Sequence, residues 1–155
     1  MEFEDFQTLV GAAQARHISK RYPPEFKLFE FLAVSDDDIA LVEAQLGTVL
    51  PAKYTQFLKH YGAGMFALVD LLPLRATAGR TGDLLTDNSG HWAISGFVSV
   101  APVGSGDMWG FVSRGGRCED AVSFWDHDDG HIQFDSDDFL EFLVSKGLRR
   151  SGPDE

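Results

Sequence analysis

The apolar period of this chain changes from helical spacing to alternation near Gly62–Gly64, and that change constrains the fold more than any other feature. Before it, apolar residues recur at helical spacing. Phe3, Phe6, Leu9 or Val10 and Ala13 predict an amphipathic helix over about 3–14. Ser35 followed by three aspartates, with Asp38 in the N3 position, predicts a capping box. The helix it opens would bury Ile39, Val42 and Leu46 and end at Gly47. Pro51 opens a second helix, with Tyr54, Phe57, Leu58 and Tyr61 on one face and Gly62 and Gly64 at its end. The segment between the first two helices, Ala15 to Pro24, ends in Tyr-Pro-Pro and reads as a connector, with Phe26 to Phe31 anchoring to the core.

After the glycines the period is two. Residues 66–72, 97–103, 109–114, 121–125 and 131–134 read as strands. Arg114-Gly115-Gly116-Arg117 and Asp126 to Gly130 supply hairpin turns between them. Residues 75–92 have no clear period and read as a long surface loop with room for a short helix. Ser136-Asp137-Asp138 then caps a last helix carrying Phe139, Phe142 and Leu143 and ending at Gly147, before a frayed tail over 149–155. Helices, then hairpin-linked strands, then a helix is the order of an α+β fold. The expectation is an antiparallel sheet of about five to six strands, packed by the N-terminal helices and the C-terminal helix.

One domain accommodates the 155 residues, and 44% hydrophobic content with 13 Phe and 3 Trp supplies its core. The single cysteine, Cys118, excludes an intrachain disulfide and a multi-cysteine zinc site, which suits a reducing cytoplasm. The acidic start MEFEDFQTLV lacks the pattern of a signal peptide, and no apolar run approaches the ~18 residues of a membrane span. A cytoplasmic protein without a membrane association is expected.

The charge is local. From Glu119 to Glu141 there are nine acids and no Lys or Arg; without those nine, 15 acids face 13 bases and the rest of the chain is near neutral. A negative field of this kind steers basic partners and repels nucleic acid. Asp126, Asp128 and Asp129, with Asp107 nearby, are therefore the candidate partner-facing patch. Trp109, at the start of a strand beside Asp107, is either core or an exposed anchor and joins the candidates. Phe124 and Trp125 occupy adjacent strand positions and must face opposite sides. Trp125 is expected beneath the helices, where its truncation to Ala would cost roughly 3–5 kcal/mol.

Chemistry finds little purchase. Counted from Asp126, the DHDDG turn places glycine at position 5 and histidine at 6, so the EF-hand template fails. Asp126, His127, Asp128 and His131 would point in diverging directions on a tight turn, so no metal is expected. No serine sits in a G-x-S-x-G elbow, and Cys118 lies beside Glu119 and Asp120, which blunt a thiolate. Gly104-Ser105-Gly106 fits neither a phosphate loop nor a dinucleotide fingerprint. The reading is of no catalytic residue and no cofactor.

Four segments together resemble the Smi1/Knr4 (SUKH) superfamily: LPAKYTQFLKHYGAG after Leu46-Gly47, then GDMWGF, VSFWDHDDG and SDDFLEFL. The similarity runs from about Val34 to Leu143, so the chain divides into an N-terminal helix and connector (1–33), the Smi1/Knr4-like domain (34–147) and a flexible tail (148–155). The resemblance implies an α+β domain without enzymatic machinery. It further implies a bacterial immunity protein that binds and neutralises a toxin, often a nuclease, of a polymorphic or contact-dependent system. The expected partner is thus a protein, a basic toxin domain. Fungal members act as signalling scaffolds, which keeps a scaffold role as one alternative; a metal-dependent hydrolase using the DHDDG turn is another.

Overall fold

The computed structural model describes residues 1–19 and 27–149. Helix α1, Phe3–Ser19, buries Phe6, Val10 and Ala13 at i, i+4 and i+7 and runs five residues past the expected end. Ala15 to Ser19 therefore belong to the helix; the proline-bearing rest of the expected connector, with Phe26, lies outside the described residues. Helix α2, Asp36–Leu46, starts at the expected capping box: Ser35 Oγ accepts the Asp38 N–H at 3.1 Å, and the Asp38 carboxylate accepts the Ser35 N–H at 3.0 Å. Gly47, in the left-handed conformation at φ 67°, closes it. Helix α3, Ala52–His60, buries Tyr54, Phe57 and Leu58.

The strands form two antiparallel sheets. The smaller joins β1 (Phe29–Leu32), β2 (Ala63–Phe66) and β3 (Val69–Leu71) in that order. The expected single strand over 66–72 is thus a hairpin. Phe66 pairs with Val69 across a two-residue turn, Ala67 takes a positive φ of 52°, and Leu68 is 53% exposed at the tip. No Gly, Asn or Pro marks that turn, so the apolar run concealed it. Gly62 and Gly64, expected only as helix terminators, also allow β1 to lie close. A Cβ on Gly62 would stand 2.4 Å from the Leu32 carbonyl oxygen, and one on Gly64 2.5 Å from that of Glu30.

The larger sheet has the order β4 (Phe97–Pro102), β5 (Met108–Arg114), β7 (Val122–Trp125), β8 (Ile132–Ser136), with the short β6 (Arg117–Cys118) also on β5. Gly115 and Gly116 take the positive φ that the β5–β6 turn requires. The Leu72 N–H donates to the Val100 carbonyl at 2.9 Å and ties the end of β3 to β4. Between the sheets in sequence, the loop contains a one-turn helix α4 (Leu84–Asp87) with Asp83 as its cap, then a 3-10 turn over Gly90–Trp92.

The last helix, α5 (Phe139–Leu143), continues as a wider turn over Val144–Leu148. Gly147 therefore does not end the helix at this point. It lets the turn approach the β2–β3 hairpin, since a Cβ there would meet that of Ala67 at 3.1 Å. An aromatic core joins these parts: Phe57 packs on Phe6, Phe66 and Phe139, and Tyr54 on Phe111 and Phe139.

The larger sheet thus has a helix face and a loop face. Phe111 and Trp109 point to the helices, and Trp109 and its cross-strand partner Phe124 have ring centroids 4.8 Å apart. At the β4 edge of the sheet, Asn88 from the loop bonds both the N–H and the carbonyl of Ser99. The Phe97 ring lies across Gly110, where a Cβ would stand 2.7 Å from it.

Candidate functional site

The hairpin between β7 and β8 carries the acidic turn. The Asp126 N–H donates to the His131 carbonyl at 2.9 Å, the Gly130 N–H donates back to the Asp126 carbonyl at 2.8 Å, and Gly130 adopts φ 72°. Within the turn, the Asp126 carboxylate accepts the Asp128 N–H and the Asp129 carboxylate accepts the His131 N–H. These are the local Asp bonds anticipated for such a sequence.

Asp107 reaches the turn from the loop before β5. Its carboxylate accepts the His127 backbone N–H at 2.9 Å, contacts His127 Nδ1 at 2.7 Å and accepts the Ser105 hydroxyl at 2.7 Å. The backbone N–H first, then the imidazole and then the hydroxyl hold the Asp107 carboxyl down to about 2. The bond to Asp107, aided by the charges of Asp128, Asp107 and Asp126 and opposed by some desolvation, raises His127 above its ordinary value. The imidazole ring lies over Gly106, where a Cβ would meet it at 3.2 Å. Asp107 is thus a clasp on the turn, its side chain only 17% exposed, whereas Asp128 is 83% exposed.

Asp107, Asp126 and His127 bring one donor atom each to within 4.8 Å of one another. Sequence reasoning missed this grouping because Asp107 arrives from twenty residues upstream. Its chemistry is limited. His127 Nδ1 is engaged by Asp107, its Nε2 lies 3.2 Å from an Asp128 oxygen, and Ser105 bonds the carboxylate rather than the imidazole. Among the described residues no nucleophile bonds the free end of the Asp–His pair. Cys118 is buried beside Thr48, and burial pushes its thiol pKa up.

The acidic segment divides in space. Glu119 pairs with Arg114, Asp135 with Lys146, and Asp138 with Lys53 while capping α5. Those acids serve the scaffold. Asp128 and Asp129 are exposed, and neither they nor the half-buried Asp126 pair with a Lys or Arg among the described residues. Trp109 is half-buried on the helix face, its ring centroid 5.3 Å from that of Phe142 and 5.1 Å from Lys146 Nζ. The structure therefore brings Asp107, Asp126, Asp128 and Asp129 together and places Trp109 elsewhere.

Trp125 corrects an expectation. Phe124, with Trp109, takes the helix face, so Trp125 falls on the loop face and is half-buried. There it lines a cavity of about 680 Å³ with Asp87, His91, Trp92, Ile94, Met108 and His127. This cavity adjoins the acidic turn through His127. Only the exposed Trp92 in the unpatterned loop could have hinted at it from sequence.

A family model matches residues 33–145, nearly three quarters of the chain, and its description is the SMI1/KNR4 family (SUKH-1). The chain belongs to the SMI1/KNR4 family. Proteins of the SUKH type are often immunity proteins of toxin systems and are generally non-catalytic. A search of curated proteins gave no match. The SMI1/KNR4 match takes in α2 to α5, including the whole Asp107–Gly130 site, and leaves out α1 and β1. Among the described residues no helix is long and apolar enough to cross a membrane.

Proposed function

We propose that this SMI1/KNR4 domain is a non-enzymatic, cytoplasmic binding protein that neutralises a basic toxin domain of a polymorphic or contact-dependent system. The observation that carries the reading is the pinned turn: Asp126, Asp128 and Asp129 have no basic partner among the described residues, and Asp107 clamps the backbone at His127. A rigid anionic projection loses little entropy on binding and accelerates encounter with a cation-rich surface. A nuclease toxin has such a surface because it binds phosphates, so the acidic turn is suited to its cleft.

The test is to seek a toxin candidate among the neighbouring genes and measure its inhibition by this chain at a one-to-one ratio. Association should slow steeply with added salt, and the Asp126→Asn, Asp128→Asn, Asp129→Asn triple variant should associate at least about tenfold more slowly. Salt-independent association, or an unchanged rate in the triple variant, would remove the turn from the interface.

Among the described residues, the Asp107–Asp126–His127 grouping is the feature that favours a metal-dependent hydrolase instead. The existing bonds of His127 Nδ1 and Asp107 argue against that reading. One equivalent of metal per chain in purified protein, lost in Asp126→Ala, would promote it.

A further inference from the structure

We propose that the cavity on the loop face, beside the acidic turn, receives an arginine side chain of the protein partner. The inference rests on the acidic-surface reading above and names the group that surface recognises. Three observations carry it. First, the walls are those a guanidinium prefers: Trp92 and Trp125, with Met108 and Ile94 alongside. Trp92 is 65% exposed, an area of indole left to water that stacking on a planar cation would cover.

Second, the cavity wall holds one carboxylate, Asp87, and it pairs with no Lys or Arg among the described residues. Burial first and the neighbouring Asp83 second raise its pKa. An arriving cation would relieve both costs.

Third, the charges around the cavity select the ligand's sign. Among the described residues no Lys or Arg lines it; its bases are His91 and His127, and His127 is surrounded by Asp107, Asp126 and Asp128. An anion or a nucleic acid backbone would meet carboxylates, whereas an arginine would meet stacking surface within and a negative rim outside. The volume of about 680 Å³ exceeds one side chain and leaves space for the peptide that bears it.

The three tryptophans make the test direct. In the full-length, nitrogen-15-labelled chain each indole N–H gives its own NMR signal, and Trp109, on the helix face, is an internal control. The probe is acetyl-Gly-Arg-Gly-amide, with the citrulline peptide as its neutral isostere. Expected are saturable shifts at Trp92 and Trp125 with none at Trp109, and binding weakened about fivefold or more by citrulline, by Asp87→Asn and by Trp92→Ala. Both substitutions lie outside the aromatic core, and an otherwise unchanged spectrum verifies the fold.

Shifts confined to the backbone amides of Asp126 to Gly130 would overturn the cavity assignment and leave the acidic-surface reading standing. Equal binding of the citrulline peptide would overturn the cation and reduce the cavity to apolar surface. No shift at either place would overturn both readings.

Discussion

The two faces of the five-stranded sheet are built from alternate residues of the same strands, yet they have different fates. On the helix face Phe111 is fully buried against Tyr54 and Phe139, and Trp109 meets both Phe124 and Phe142 of α5. On the loop face Phe97 closes over Gly110 at one end, but Met108 and Trp125 remain half-covered by a loop that stops short of sealing them. The cover makes the difference. A helix with a continuous apolar stripe excludes water along its length, whereas a loop anchored by Asn88 on Ser99 touches the sheet at points and leaves space between them. The helix face is where stability resides, and the loop face, open and edged with carboxylates, is where recognition has room.

Truncations on the two faces measure that difference. Phe111→Ala should have the largest effect, about 3–5 kcal/mol in chemical denaturation, because it empties a site walled by other rings. A loss under about 1 kcal/mol would show the helix face to be loosely packed. Trp125→Ala should cost less, about 1–2 kcal/mol, since part of the ring already meets solvent and little apolar area is re-exposed. Equal losses at the two positions would erase the distinction between the faces.

The smallest effect concerns the clasp at the edge of the loop face. Asp107, lowered to about 2, contributes above its ordinary 3.8 and loses that contribution as pH falls towards 2. His127, raised above its ordinary 6.5, contributes fully below 6.5 and loses that contribution as pH rises through its folded value. The clasp is therefore tightest between about pH 4 and 6.5 and loosens as pH rises through the raised His127 pKa. An NMR titration should place the His127 midpoint above 6.5, and Asp107→Asn should bring it down. A wild-type midpoint at or below 6.5 would remove the Asp107–imidazole pair from the clasp and leave the turn held by the His127 backbone bond alone.

Local chemistry was legible where it acted within a few residues. The Ser35–Asp38 box, the Tyr54–Phe57–Leu58 stripe, the Asp126–Gly130 turn and the acidic concentration could all be read along the chain, as could the α+β class. The Ala67–Leu68 turn could not, because an apolar alanine occupies the left-handed conformation and only pairing with β1 and β3 reveals the hairpin. The acidic segment was legible as a total but not as a division: ion pairs from the distant Lys53 and from Arg114 and Lys146, which flank the segment, assign some of its acids to the scaffold.

The sequence by itself determined where the main helices start, the α+β order, where the negative charge concentrates and which family the motifs resemble. These properties depend on periods and spacings of fewer than about ten residues. Only the tertiary structure decided that Trp125 looks to the loop and Phe124 to α5, that Asp107 holds His127, and that Trp92 and Asp87 share a cavity with them. A strand's alternation specifies that neighbours face opposite ways but not which way is inward. That choice belongs to whatever covers each face, and here the covers, α5 and the 83–94 loop, come from other parts of the chain.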